Sequence, residues 1–220
     1  KVATAEFRVY SDEELKRLNA HITKMDEQIA RCMIIHQMLG NRISDTLILR
    51  RNCLFEMDGQ DMITIHQMKT RTFEKPISRE LAMLIQKAID HTAEKYGETK
   101  YIFVDENNLE KPLQYGTLAC KVMAMITREN LCDDQGKPFG FNTHMFRHYY
   151  GVKLTEMHLD DWTISKLLGH KDVRSVRYYR RMSNQMMADE TRKARQKMSD
   201  IIMENLEGWG DEYEKVRQND

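Results

Sequence analysis

THMFRHYYGVKLTEMHLDDWTISKLLGHKDVRSVRYY, residues 143–179, carries the decisive pattern of this chain. Phe146, Tyr150, Leu154 and Met157 recur at helical spacing, which predicts a helix with one apolar stripe. His144 and Arg147 are three apart and so neighbours on that helix. The stripe turns away from His144 and His148, with Arg147 on its flank. One side is written for burial, and another presents an imidazole beside a guanidinium. A short polar break follows, then Leu168-Gly169-His170, then Tyr178 and Tyr179, the second of them nine residues beyond His170.

Upstream, Ser11-Asp12-Glu13-Glu14 reads as a capping box opening a helix that carries Leu15 and Leu18. A second helix is expected from about Met25, through Ile29, Cys32, Met33 and His36, to a stop at Gly40-Asn41. In NRISDTLILRR, residues 41–51, Ser44 is the expected cap of a short helix bearing Leu47 and Ile48, with Arg42 just before it. Asp58-Gly59 between CLFEM and DMITIHQM signals a two-residue hairpin. A third strand is expected over residues 72–77, after a turn at Lys69-Thr70-Arg71. Residues 78–96 and 114–130 read as amphipathic helices, YIFV from Tyr101 as a short buried strand or extended segment, and CDDQGKPFG as a loop. Residues 183–206 read as one long helix and 207–220 as a flexible acidic tail. The expected fold class is mainly α with a small antiparallel three-stranded β-sheet.

The 220 residues suit one substantial domain. A net charge of zero argues against a simple basic nucleic-acid binder, but the charge is unevenly distributed. Residues 141–181 hold eight Lys and Arg against four Asp and Glu, whereas residues 207–220 hold two against five. A locally basic face with an acidic tail can hold a phosphate backbone, with modest affinity for an isolated domain. No apolar run approaches the roughly 18 residues of a membrane span, so no membrane partner and a cytoplasmic location are expected. Cys32, Cys53, Cys120 and Cys132 lack metal-ligand spacing and read as buried reduced thiols. His144 and His148 form HxxxH, but Met145 stands where a zinc hydrolase needs Glu. His36, His66, His91 and His158 read as structural or surface residues, and Tyr149 and Tyr150 as packing residues.

His144-x-x-Arg147, then Leu168-Gly169-His170, then Tyr179 resembles the tyrosine recombinase (phage integrase) family. The resemblance extends to Arg42-Ile43-Ser44-Asp45, similar to that family's first-arginine motif, and to Lys69 in its hairpin. It covers the chain from about Val9 to about Leu206. Asn41 departs from the small or apolar residue often found there. Of the two hairpin lysines, Lys69 matches the family's catalytic lysine better than Lys75.

The resemblance implies a reaction that suits these side chains. Attack on a phosphodiester builds negative charge on the non-bridging oxygens, and Arg42 and Arg147 would each offer a planar, permanently charged set of donors. Losing one such donor typically raises the barrier by ~3–4 kcal/mol. Tyr179 would be the nucleophile, with Tyr178 as the alternative. A phenol with a pKa of about 10 must lose its proton as it attacks, and His144 would help as general base. His170 would orient the phosphate, and Lys69 would protonate the leaving 5′ oxygen. Arg71, Lys171, Arg174 and Arg177 are candidate contacts to backbone phosphates, against the plain alternative of solvated charges. No metal or cofactor is implied.

The implied activity is site-specific cutting and joining of duplex DNA by a homo-oligomer, a tetramer in the full-length protein, in the service of a mobile element. Residues 1–206 would form the catalytic domain, with the helix 183–206 docked either on its own domain or on a neighbouring protomer. The family's preceding DNA-clamping domain is expected to be absent from this chain. The rival readings are a type IB topoisomerase-like enzyme and a non-catalytic DNA-binding module of the same fold.

Overall fold

The computed structural model describes residues 8–67, 72–170, 173–177, 179 and 180. Lys69, Arg71, Lys171, Tyr178, the helix expected over 183–206 and the tail over 207–220 lie outside the described residues.

Helix α1 (Asp12–Ile22) starts with the expected capping box: Ser11 accepts from the Glu14 amide, and the Glu14 carboxylate accepts from the Ser11 amide. Asp26 caps α2 (Glu27–Leu39), which buries Ile29, Cys32, Met33, Ile35 and Leu39 and packs against three of its neighbours, α1, α3 (Ile43–Leu47) and α4 (Arg79–Tyr96). Helix α3 has Arg42, not Ser44, at its N-cap position, and Arg42 makes no side-chain cap. Ser44 instead donates to Asp45. The expected cap fails because the chain is already helical at Ile43.

Strands β1 (Leu54–Met57), β2 (Gln60–His66) and β3 (Thr72–Pro76) form an antiparallel sheet in the order 1-2-3. Asp58 and Gly59 both take positive φ, as a tight hairpin turn of this hand requires. Ile63 pairs with Lys75 and Ile65 with Phe73, so Lys75 shares the core face of the sheet with the two buried isoleucines. A second, two-stranded sheet, β4 (Val104–Asp105) with β5 (Asn108–Pro112), was not expected from the sequence. Only YIFV signals it, and β5 is too polar to read as a strand.

Helix α5 (Tyr115–Arg128) buries Leu118, Val122, Met125 and Ile126 as its periodicity predicts. Helix α6 (Thr143–Glu156) departs from expectation in two ways. Met157 lies past its last turn and is 68% exposed, and Arg147, expected on the flank, is 2% exposed. Phe146 joins the main core while Tyr150 and Leu154 pack with a smaller cluster of Ile164, Leu168, Val176 and Tyr179, so the stripe is divided between two cores. His158, in the left-handed region, ends α6: its amide donates to Thr155 and that of Leu159 to Leu154. Asp160 then caps α7 (Asp161–Leu167), accepting from the amides of Trp162 and Thr163.

Cys32 and Cys53 are buried, but Cys120 and Cys132 are exposed, against the expectation that all four thiols are buried. Both exposed cysteines lie outside the apolar faces that form the core. His36 and His91 also have partners the sequence did not suggest. Fully buried His36 bridges Thr46 of α3 and the Thr143 carbonyl of α6, and His91 faces Glu27 at 3.2 Å. Among the described residues, no helix is long and apolar enough to cross a membrane.

Candidate active site

The site forms where α2 and α7 end. Each helix stops just before a left-handed glycine, Gly40 at φ +65° and Gly169 at φ +62°. A side chain at Gly40 would also strike the Tyr150 ring, with a Cβ only 2.4 Å from its nearest atom. After α7, the Gly169 amide donates to Lys166 and the His170 amide to Ser165, a pair of bonds that turns the chain sharply back. Arg42 and His170 sit just beyond these two stops, so the helix ends set where both motif residues emerge.

A helix end leaves its last carbonyls without main-chain donors. Here two cations supply them. Arg147 donates through Nη1 to the Gly40 carbonyl (2.9 Å) and through Nη2 to the Leu168 carbonyl (2.8 Å). Lys75 Nζ donates to the Leu39 carbonyl (2.5 Å) and the Leu167 carbonyl (3.0 Å), with Asn41 Oδ1 at 3.5 Å. Lys75 therefore takes the carbonyl immediately before the one Arg147 takes, at both helix ends. Both cations also sit at the negative ends of the helix dipoles. Tyr150 covers Lys75, its ring centroid 5.5 Å from the ammonium.

Tyr10 anchors the start of α6. Its hydroxyl accepts from the Asn142 amide and donates to the Gly140 carbonyl, both at 2.8 Å, and its ring packs on Phe139 and Phe146. Asn142 in turn caps the His144 amide at 2.9 Å. His144 thus stands partly exposed on the first turn of α6, one turn before buried Arg147 and next to His148, the two imidazole centroids being 4.5 Å apart.

Tyr179 follows a short 3₁₀ turn (Val173–Ser175) and is 3% exposed. Its ring lies over Gly151 of α6, where an added Cβ would come within 2.7 Å of it. The His148 and His170 rings flank it, at centroid distances of 5.9 and 6.0 Å. Its phenol interacts electrostatically with the Arg147 guanidinium.

The electrostatics follow from this crowding of positive charge. Burial first, then Arg147 and Arg42, lowers the proton affinity of His144 below the usual histidine range. Burial, helped by His144 and Arg147, brings His148 down to about 4. Burial and the neighbouring Arg147 draw the Lys75 ammonium down to about 7. Arg147 is lowered chiefly by burial and also by Arg42, while Tyr179 and buried Asp45 act in the opposite direction.

Of the residues singled out in the sequence, Arg42, His144, Arg147, His170 and Tyr179 come together around this junction. Arg174 and Arg177 are exposed beside the Tyr179 turn. Asp45, His148 and Gly151 are parts of the site to which the sequence assigned no role, and so is Lys75, which the sequence ranked behind Lys69 as the match to the family's catalytic lysine. The one available signal for Lys75 was a lysine at an inward register position of β3. Asn41, read only as an odd residue in its motif, reaches towards that lysine.

The Phage integrase family pattern matches residues 8–186. The chain is 28% identical over 200 residues to Transposase B from transposon Tn554 of Staphylococcus aureus, a match covering 90% of this chain and 31% of that protein. The corresponding protein of transposon PsiTn554 of Staphylococcus aureus is also 28% identical over 90% of this chain. The chain spans about a third of the length of these curated relatives. Among solved structures, the Tn1549 transposon integrase in complex with transposon right end DNA superposes with a TM-score of 0.64 at 14% identity, covering 83% of this chain and 65% of that one. XerH site-specific recombinase bound to difH substrate gives a TM-score of 0.60 at 19% identity, over 78% of this chain and 49% of that one. The described fold, the order of its motif residues and the family match lead to one conclusion: this chain belongs to the phage integrase family.

Proposed function

We propose that this chain is the catalytic domain of a site-specific recombinase that cuts and rejoins duplex DNA for a mobile element. The observation that carries the reading is the seat of Tyr179 between His148 and His170, where it interacts electrostatically with the Arg147 guanidinium. A nucleophile beside a cation is already next to the group that would hold its electrophile.

In the proposed step, Arg42 and Arg147 hold the non-bridging oxygens of one phosphodiester and stabilise the charge that grows there. The Tyr179 oxygen attacks phosphorus, the bond from phosphorus to the 5′ oxygen breaks, and a 3′-phosphotyrosyl link forms. His144, whose proton affinity is lowered by burial and then by Arg147 and Arg42, accepts the phenolic proton. Lys69 gives a proton to the leaving 5′ oxygen, and His170 donates a hydrogen bond to the phosphate. Attack by a 5′ hydroxyl of a second strand reverses the step and joins the two. Two of the five N–H donors of Arg147 are held by carbonyls, so three remain for Tyr179 and the phosphate. Similarity to proteins of Tn554 and Tn1549 supports the mobile-element role, and action in a complex of several protomers belongs to the same proposal.

The test is covalent trapping on a pool of nicked duplexes of randomised sequence, resolved on denaturing gels. Wild type and Tyr178→Phe should form a protein–DNA adduct, and Tyr179→Phe should form none. An adduct with Tyr179→Phe but not with Tyr178→Phe would transfer the nucleophile to Tyr178. No adduct with wild type would sink the reading. Joining of two marked duplexes, compared with relaxation of supercoiled plasmid, separates a recombinase from a topoisomerase.

A further inference from the structure

Lys75 is a buried ammonium to which the proposed reaction assigns nothing. It lies on the core face of β3, opposite Ile63, where a sheet ordinarily presents an apolar side chain. A charge in such a place is expensive unless it is fully bonded, so its partners should reveal its use. They are the Leu39 and Leu167 carbonyls and the Asn41 side chain. Three acceptors match the three donors of an ammonium, and an uncharged amine could serve only two of them.

We propose that Lys75 is a positioning residue for strand cleavage: with Arg147 it clips consecutive carbonyls at the ends of α2 and α7, and thereby sets the separation of Arg42 from His170. The inference rests on the reading in which those two residues act on one phosphate with Arg147 and Tyr179. Its geometry is specific. Lys75 takes Leu39 and Leu167, Arg147 takes Gly40 and Leu168, and Arg42 and His170 each lie two residues past the second carbonyl of their pair.

Arg147 alone could hold the two helix ends together but would leave each free to pivot about a single bond. A second cation bonded to the neighbouring carbonyl adds another fixed point at each helix end and so restricts that pivot. Because Lys75 is fully covered by Tyr150, Asn41 and the helix ends, it acts through these neighbours and not by touching DNA.

The experiment compares wild type with Lys75→Met, which matches the side-chain length without charge or donors, and Lys75→Gln, which keeps amide donors without charge. Three quantities are read: the single-turnover cleavage rate on a nicked duplex taken from the adduct pool, the affinity for that duplex, and amide hydrogen exchange in the protein without DNA. Lys75→Met should cleave at least 30-fold more slowly while duplex affinity stays within threefold. Its exchange should quicken at least tenfold at residues 40–43 and 169–170, with α4 and α5 unchanged. Cleavage within threefold of wild type, or a loss of affinity equal to the loss of rate, would overturn the inference. Failure of both variants to fold would also overturn it, since Lys75 would then serve stability and not position. If wild type itself forms no adduct, the recombinase reading falls, and the exchange measurement alone decides whether Lys75 holds the two segments.

Discussion

Tyr179 interacts electrostatically with the Arg147 guanidinium, and Arg147 is simultaneously bonded to Gly40 and Leu168. One side chain thus connects the ends of two helices with the proposed nucleophile. A disturbance at any of these contacts should reach the others.

The Tyr179 ring needs the bare backbone of Gly151, because a Cβ there would sit 2.7 Å from it. Gly151→Ala should therefore push the ring away while leaving α6 intact, since alanine favours helices. Single-turnover cleavage is expected to fall at least tenfold with duplex affinity preserved. An unchanged rate would mean that the ring does not need this seat during attack.

Arg147→Lys should be far from conservative. One ammonium cannot replace two Nη groups that reach carbonyls on different helices. Leaving a buried carbonyl unpaired costs about 1–3 kcal/mol, so urea denaturation should show a loss of that order. Cleavage should fall by about 10²–10³, as for other deleted transition-state donors. A variant of wild-type stability would show that the guanidinium is not the tie between α2 and α7.

His36 predicts acid sensitivity. Burial lowers it to about 4 from the ordinary value of 6.5, so at intermediate pH the unfolded chain binds a proton that the folded chain refuses. Stability is complete above pH 6.5 and is lost as pH falls from 6.5 towards 4, by about 3 kcal/mol from this one group. The slope of denaturation free energy against pH should be shallower in His36→Gln across that window. Equal slopes would show that other groups carry the acid transition.

His144 makes a kinetic prediction of the same sign. Partial burial, Arg147 and Arg42 all favour its neutral form, the form that can accept a proton from Tyr179. The acid limb of the cleavage-rate profile should therefore lie below pH 6.5, and His144→Asn should remove it. A limb above that value would exclude His144 as the base.

Several features were legible because they depend on a few neighbouring residues. The Ser11–Glu14 capping box, the stop at Gly40 and the Asp58-Gly59 hairpin each satisfy local donors or local φ requirements, and each formed where the chain announced it. The order of Arg42, His144, Arg147, His170 and Tyr179 was legible as a pattern. The cap predicted at Ser44 and the stripe extended to Met157 failed because both readings ran one step beyond a helix boundary, where local rules are weakest.

By itself, then, the sequence determined which elements form, where the helices stop and which side chains stand beside those stops. Only the tertiary structure decided what fills the space between them. Lys75 meets its carbonyl partners across 36 and 92 residues of chain, and whether a lysine on a strand faces water or two helix ends depends on how those helices are packed. The same holds for Arg147, read as a flanking charge and found buried. A buried cation is tolerated only when distant acceptors converge on it, and such convergence is a property of the packed chain that no short stretch of residues can express.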